Sequence, residues 1–578
     1  MSPHAELVDA RRLTGPNRLW DKPGALVEVA VGATDAPMVV EAWQVQARRL
    51  LDAVGWSGEA TLARVVSGGV SMAISAPVDA LYAAVDLNEL AWLSAAAELN
   101  GHSLSPLEQA EATRRLLDAI GAERNPALLS LADAAEAHGV AFMPGDDLVT
   151  VGQGAGSMTW PQDDLPDAGD VDWTRVHDVP VALVTGTDGK TTTTRLVAAI
   201  AAAAGHVPGL STTDGVRVAG ERVATGDFAG PEGARMVLRD PRVTLAVLET
   251  ARGGLARRGV AVRQVAAAVI TNIAADHLGQ FGLHTLDDLA EVKFVVSRVI
   301  RATGRLVLNA DDPELRTHAA GAGRTVTWFT LGEESTFVAG QVAGGGDGCW
   351  LRADGMLMWQ QGTHGIEVLH VADLPIALGG AARYNVANAL GAIGAAAALG
   401  LPVMAMTQGL AEFRGTAEDN PGRANLMQLG GVDVLVDYAH NPHGLAALVE
   451  VVGRMPAARK LILLGQAGDR DDESIRELVR VAWQIRPDRV VVKELHKQLR
   501  GRAPGEVPAV IVDELKRLGA DETMIDVAPS EVVAVRQALA WAREGDLLVI
   551  LAHSERGDVL AYLADLDARG WRPGEELD

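Results

Sequence analysis

The 578-residue chain has a single cysteine, Cys349, so no disulfide can form within it, and the reducing cytoplasm is the compartment that fits. Its neighbours Gly344, Gly345, Gly346 and Gly348 read as a turn around an unreactive thiol. Positive charge is also short: 51 Lys+Arg face 75 Asp+Glu, a formal net charge of -24. That sign is wrong for a surface that neutralises many phosphates, which argues against nucleic acid as a partner and requires a local basic site for any large anionic substrate. Most of the basic residues are Arg, so each Lys inside a motif is the more informative. The N-terminal run MSPHAELVDARRL lacks the apolar core of a signal peptide. The longest uncharged apolar run, 389–406, is mostly Ala and Gly and is broken by Gly400 and Pro402. It reads as a buried helix ending at Gly400, and no membrane partner is expected.

What is present is enough apolar residue to fold, 48% hydrophobic against 22% charged, which excludes the disordered regime. At roughly 150 residues per domain the length predicts about three or four domains. Residues 1–165 mix short β-branched runs, at 25–31 and 37–40, with helical stretches such as 107–120, which predicts a small α+β domain. A Gly-, Pro- and Asp-rich stretch at 153–172 reads as a linker. From Val179 onward buried-strand runs at 181–184, 243–248, 265–270 and 305–308 alternate with helical periodicity, closing with a helix at 384–399. This predicts a parallel sheet covered by helices over 166–420. A second series, with strands at 432–436, 460–464, 489–492, 509–512 and 547–551, predicts a smaller α/β domain over 421–578.

The sharpest motif is Gly186-Thr187-Asp188-Gly189-Lys190-Thr191-Thr192, after a buried strand and opening a helix. Such a turn aims backbone N–H groups and a helix dipole at an anion, with Lys190 placed for the β/γ-phosphates and Thr191 for Mg²⁺. Val184 stands where the longer P-loop pattern has its first Gly, and a Gly-rich turn with an exposed Lys is the bland alternative. Glu249 ends an apolar strand, where a carboxylate is costly unless paired or metal-bound; a helix N-cap or an ion pair with Arg252 would also satisfy it. Asp276-His277 follows another buried strand, and Lys293 lies in a helix predicted over 286–299. Alone, His277 reads as a core histidine and Lys293 as a solvated helix face.

Together and in order, these pieces resemble the Mur ligase superfamily, in wording most nearly the Mur-like half of the cyanophycin synthetases. Besides the P-loop, the carrying strings are Ser211-Thr-Thr-Asp-Gly215, Gly226-Asp-Phe-Ala-Gly-Pro231, Leu248-Glu-Thr-Ala-Arg-Gly-Gly254, Ala275-Asp-His-Leu-Gly279, Leu308-Asn-Ala-Asp-Asp-Pro313 and Asp437-Tyr-Ala-His-Asn-Pro442. The stretches 465–470, 493–494 and 500–502 continue the similarity, which covers roughly 175–560. The resemblance implies an α/β protein with a Mur-ligase-like central P-loop domain and a lid domain. It further implies that ATP activates a carboxylate as an acyl phosphate, which an amine then attacks to give an amide, ADP and phosphate. Lys190 and Thr191 would hold phosphates and a first Mg²⁺, with Glu249 on the same metal. His277 would bind a second Mg²⁺ and Lys293, carbamylated as in many members, would help to hold it. Asn385 and Asn388 resemble adenine-contacting asparagines, and Arg423 and Asp437 resemble lid residues that reach γ-phosphate and ribose.

The weak likeness of Arg12-Leu-Thr-Gly-Pro-Asn17 to the start of a cyanophycin synthetase, with about 165 residues before the Mur-like half, implies a chain without the ATP-grasp module of those enzymes. The stretch Val85-Asp86-Leu-Asn88-Glu89-Leu90 lacks the histidines of the metal pattern some relatives carry, so no metal is expected in 1–165. The substrate implied is an Asp- or Glu-containing peptide or polymer, extended by an amino acid with Arg as first guess, in a homo-oligomer. The amine site is expected in the lid, where Asp469, Asp471, Asp472 and Glu494 could pair a cationic amino acid and Arg470, Arg500 and Arg502 a carboxylate; an ordinary solvated loop is the alternative. A hinge is expected within 415–422. The rival readings are a non-catalytic Mur-like subunit beside a full cyanophycin-type synthetase, and a cell-wall or folylpolyglutamate-type ligase with another substrate.

Overall fold

The computed structural model describes residues 5–577 apart from 33, 34, 67, 103, 277, 280, 333–335, 345 and 363, and only the backbone of 336 and 337. His277 and Gly345 therefore lie outside the described residues. No helix among those described is long and apolar enough to cross a membrane.

The chain opens with a four-stranded antiparallel sheet, Glu6–Leu13 beside Gly24–Ala30, Gly69–Ser75 and Thr61–Val66 in that spatial order. Helices Ala36–Ala53 and Leu81–Leu99 pack on it. The strand expected at 37–40 is the first turn of the former helix. Pro37 suits a helix start, and Val39, Trp43, Ala47 and Leu50 fall on one buried face at helical spacing, which overrides the local β preference of a Val pair. Trp43 donates its indole N–H to Asn88 (2.9 Å), whose amide in turn donates to the Ala25 and Met72 carbonyls, so this core carries a satisfied polar tie. The presumed linker at 153–172 contributes the strand Met158–Pro161 to a three-stranded antiparallel sheet with Phe142–Met143 and Leu148–Val151. Val151, Val171 and Val176 bury there against Leu131, so the Gly and Pro residues punctuate a small folded layer.

The central unit is built on an eleven-stranded sheet among the described residues. From Pro208–Thr212 through Leu245–Glu249, Val181–Thr185, Val265–Ile270, Ile300–Asn309 and Val326–Thr330 to Asp347–Leu351, neighbouring strands run parallel, and antiparallel hairpins extend both ends. Side chains alternate between two cores: Val181, Leu183, Ala246 and Leu248 face one, Ala182, Val184, Leu245 and Val247 the other. The Ala-rich run is indeed buried helix, Arg383–Ala398, and its small residues let it lie close on the sheet: a Cβ on Gly394 would sit 2.8 Å from Val307. Cys349 belongs to the buried strand Asp347–Leu351 rather than a turn, and burial pushes its thiol pKa up, so it is unreactive for a different reason than its glycine neighbours suggest.

The lid has a six-stranded sheet ordered Asn425–Leu429, Val432–Asp437, Leu547–Leu551, Lys460–Leu464, Arg489–Lys493, Ile525–Ala528, parallel except at the first pair. Residues 509–512, expected as a strand, lie inside helix Glu506–Arg517. Val507, Ile511 and Leu515, four apart, make its buried stripe, and the strand of that repeat is Ile525–Ala528.

Candidate active site

The strand Val181–Thr185 lies between Leu245–Glu249 and Val265–Ile270, and the chain departs from it to opposite sides, so its carboxyl end is the switch point where an open α/β sheet leaves a crevice. Out of it comes the P-loop. Gly186 (φ +145°) presses on Thr271, and Gly189 (φ +80°) caps helix Lys190–Ala203 in the left-handed region; a Cβ on Gly189 would stand 2.2 Å from Asn388 Oδ1. The loop is fixed from the neighbouring strand end: Thr187 N–H donates to Asn272 O, Asp188 N–H to Asn272 Oδ1, and the Thr271 hydroxyl to Asp188 O (2.9, 2.9 and 2.6 Å). Lys190 Nζ folds back onto Thr187 O at 2.8 Å.

Beside it, the Thr191 hydroxyl donates to Glu249 Oε2 at 2.8 Å, and Thr213 N–H donates to the same oxygen at 3.3 Å. Glu249 therefore neither pairs with Arg252 nor caps a helix. Its carboxylate is 1% exposed, and its second oxygen, Oε1, is buried with no hydrogen-bond partner. Burial pushes its pKa up, opposed by Lys190 and the Thr191 hydroxyl. An orphaned anionic oxygen next to a hydroxyl is a hard-oxygen donor set of the kind Mg²⁺ takes, with phosphates and water completing the shell. Among the described residues no three His, Cys, Asp or Glu side chains converge as a self-sufficient metal site. Lys293, on helix Leu286–Phe294, opens into the same cleft, 2% exposed and with no hydrogen bond or ion pair among the described residues. Burial and then Lys190 push its pKa well down, against Asp276 and Asp188. The helix expected to 299 ends at Phe294 and tightens into a 3-10 turn over Val295–Val299.

The cleft, about 1330 Å³, joins the P-loop, Glu249, Lys293 and Asn388 to Arg423, Asp437, Tyr438, His440 and His443 of the lid. Residues 184–396 match the Mur ligase middle domain and 422–553 the Mur ligase glutamate ligase domain. A UDP-N-acetylmuramoyl-L-alanyl-D-glutamate–2,6-diaminopimelate ligase of Corynebacterium glutamicum is 30% identical over 381 residues, 64% of this chain and 69% of that protein. The chain belongs to the Mur ligase family. The cyanophycin synthetase of Crocosphaera subtropica is 37% identical over 376 residues, 65% of this Mur ligase but 42% of that enzyme's length. This chain thus spans about two fifths of the cyanophycin synthetases it matches. A solved structure of E. coli FolC in complex with ADP aligns with 68% of this chain and 90% of its own at 20% identity, TM-score 0.49.

Across the cleft the lid meets the P-loop directly. His443 Nδ1 lies 2.7 Å from Asp188 Oδ2, and the Asn441 amide donates to Asp188 Oδ1 at 3.0 Å. Arg470 pairs with Asp276 at 2.6 Å. Asp437 accepts from the Ala424 and Ala439 N–H groups (2.8 and 2.7 Å), and Arg423 stacks over Tyr438 with its Nε buried and unpartnered. Asn385 does not line the cleft: its amide donates to Ile376 O and its oxygen accepts from Asn388, so it orients the asparagine that does. The other lid residues nominated for substrate also lie off the cleft wall. Arg500 pairs with Asp469, and Arg502 holds Asp472, Glu506 and the Gly468 and Arg470 carbonyls. Glu494 accepts from the Leu495 and Gly505 N–H groups, and Asp471 caps helix Asp472–Trp483 through Ser474. Short charged strings gave no means of telling such internal ties from a binding surface. The contacts of Thr213, Asp276 and His443 were missed as roles, although two of the three lie inside strings that carried the family resemblance.

Proposed function

We propose that this Mur ligase uses ATP and Mg²⁺ to convert a carboxylate to an acyl phosphate and joins it to the amine of an amino acid. The observation that carries this is the buried, half-partnered Glu249 carboxylate on the Thr191 hydroxyl, in one cleft with Lys190 and Lys293. A triphosphate and a carboxylate repel each other, and two fixed lysines plus a metal-ready carboxylate are what brings them together. Mg²⁺ when bound would be held by Thr191 and Glu249, with His277 and a carbamylated Lys293 at a second ion, and would neutralise charge developing in phosphoryl transfer. The P-loop N–H groups not already given to Asn272, with Lys190, seat the phosphates, Arg423 extends from the lid a guanidinium whose Nε has no partner, and Asn388 and Asp437 flank the nucleoside end. Burial and Lys190 lower the basicity of Lys293, which favours the neutral amine form that takes up CO₂ and so supports carbamylation. The lid excludes water from the acyl phosphate.

The substrate reading, an acidic peptide or polymer extended by an amino acid such as Arg in the manner of a cyanophycin synthetase, rests on the 37% identity to those enzymes. The proposed domain boundaries are 1–165, 166–420 and 421–578, and the compartment proposed is the cytoplasm. The test is ADP release by the purified chain against a panel of acids and amines, with mass-spectrometric identification of product. An amide product dependent on one acid and one amine is expected. ADP release without any amide overturns the ligation step, and none with any pair overturns the reading in favour of a non-catalytic partner subunit.

A further inference from the structure

Asp214 sits at the tip of the hairpin between strands Pro208–Thr212 and Gly215–Val218, one residue after Thr213. Thr213 belongs to the Glu249 cluster: its N–H donates to Glu249 and its hydroxyl lies 3.2 Å from that of Thr191. Asp214 itself is 9% exposed and pairs with two guanidiniums from different units. Oδ2 accepts from Arg195 of the P-loop helix at 2.7 Å, and Oδ1 accepts from Arg556, the first residue of the lid's last helix, Arg556–Ala568. A third guanidinium, Arg423, acts on the same carboxylate and shares the Tyr438 ring with Arg556 (4.3 and 5.1 Å to the centroid). Burial alone would raise the Asp214 pKa; Arg423, Arg556 and Arg195 together hold it down.

The connector from central unit to lid passes through the same knot. Arg195 also donates to Asn420 Oδ1, Asn420 donates to Thr192, and the Asn425 amide holds the Gly415 and Asn420 carbonyls. Gly422, at φ +64°, leaves room for Arg556: a Cβ there would meet its Cδ at 2.3 Å. Three cations thus converge on one carboxylate, and a neutral side chain in its place would leave Arg195 buried without a counter-charge while the lid's two arginines face it.

We propose that Asp214 is a positioning residue that couples occupancy of the Thr191–Glu249 cluster to the seating of the lid. Ordering Thr213 on that cluster orders its neighbour Asp214, and Asp214 fixes Arg556, the connector and the placement of Arg423. The proposal rests on the ligase reading above for the purpose of the coupling, not for its existence.

The test is hydrogen exchange of the full chain with and without Mg–ADP, alongside kinetics. In the wild type, nucleotide should slow exchange in 415–425 and at the start of helix Arg556–Ala568. In Asp214→Asn that protection should vanish while Mg–ADP affinity stays within about threefold, and kcat should fall about tenfold or more with KM for ATP little changed. Asp214→Glu should restore part of both. Arg556→Gln should behave alike, and the double variant should be no worse than either single one. Protection that persists in Asp214→Asn, absence of protection in the wild type, or losses that multiply in the double variant would overturn the proposal. Should Asp214→Asn fail to fold, Arg556→Gln carries the comparison, because it leaves Arg195 paired. A wild type that releases no ADP with any acid and amine sinks the ligase reading, and the exchange comparison still decides the coupling.

Discussion

Among the described residues the Lys190 side chain makes one hydrogen bond, to the Thr187 carbonyl of its own loop, and no core depends on it. Lys190→Ala should therefore lower ADP release by about a hundredfold or more while leaving the melting curve in place, since the charge it supplies is needed only when phosphates arrive. Steady-state turnover and calorimetry on one preparation check both halves. Glu249 and Lys293 differ, because each is buried with an unmet electrostatic need. Lys293→Ala should lose turnover and recover part of it with added short carboxylates, and ¹³C-bicarbonate should label the wild type with a carbamate resonance that the variant lacks; no resonance and no rescue would count against the carbamate. At this scale much of the site was readable: Gly186, Gly189, Lys190, Thr191, Glu249 and Lys293 do converge. What could not be read was partnership. Nothing in the one-dimensional string separates Arg470, which reaches across to Asp276, from Arg500 and Arg502, which tie to the 468–472 loop of the lid itself.

Helix Leu286–Phe294 presents Lys293 to the cleft from one side and is gripped from the other by the N-terminal unit. Arg18 pairs with Asp288 and Glu291, Arg64 pairs with Glu291, and Pro16 O accepts from Val260 N–H near the end of the Glu249 strand's connection. Glu291 is 30% exposed, so the pairs are partly screened, and Glu291→Ala should cost about 1 kcal/mol of stability. Its larger effect should be on turnover, through the angle of the Lys293 helix; a variant with normal kcat and a lowered melting temperature would show the grip to be structural only. Elements were legible where period and length agreed, as in Val181–Thr185, Val265–Ile270 and the Ala-rich Arg383–Ala398. They were misread at 37–40 and 509–512, where a short run of valines looks like a strand until the next two turns show their apolar residues falling on one helical face.

In the whole molecule two α/β units face each other across a cleft, joined by the connector at 415–425, and the N-terminal unit packs on the central one. Scattering profiles should change between the free chain and one saturated with nucleotide and substrates, since catalysis needs the lid to admit and then enclose them; identical profiles would speak against a mobile lid. One contact of the lid should respond to pH. The hydrogen bond and charge of Asp188 raise His443 above its ordinary 6.5, while His443 holds Asp188 far below 3.8 against the effect of burial. The contribution of His443 is then complete below about 6.5 and is lost as pH rises through its raised value; that of Asp188 is lost only deep in acid. The stability difference between wild type and His443→Gln should shrink on that alkaline limb, and a constant difference would refute the assignment. Three of the charged contacts across the cleft share a polarity: Asp188, Asp214 and Asp276 belong to the central unit, and His443, Arg556 and Arg470 to the lid. The acidic rim thus stands, for the lid's bases, where the anion of the proposed nucleotide would. Under the proposed reading an incoming polyphosphate exchanges one counter-anion for another at these three bases, and dissolved salt acts as a competitor of both.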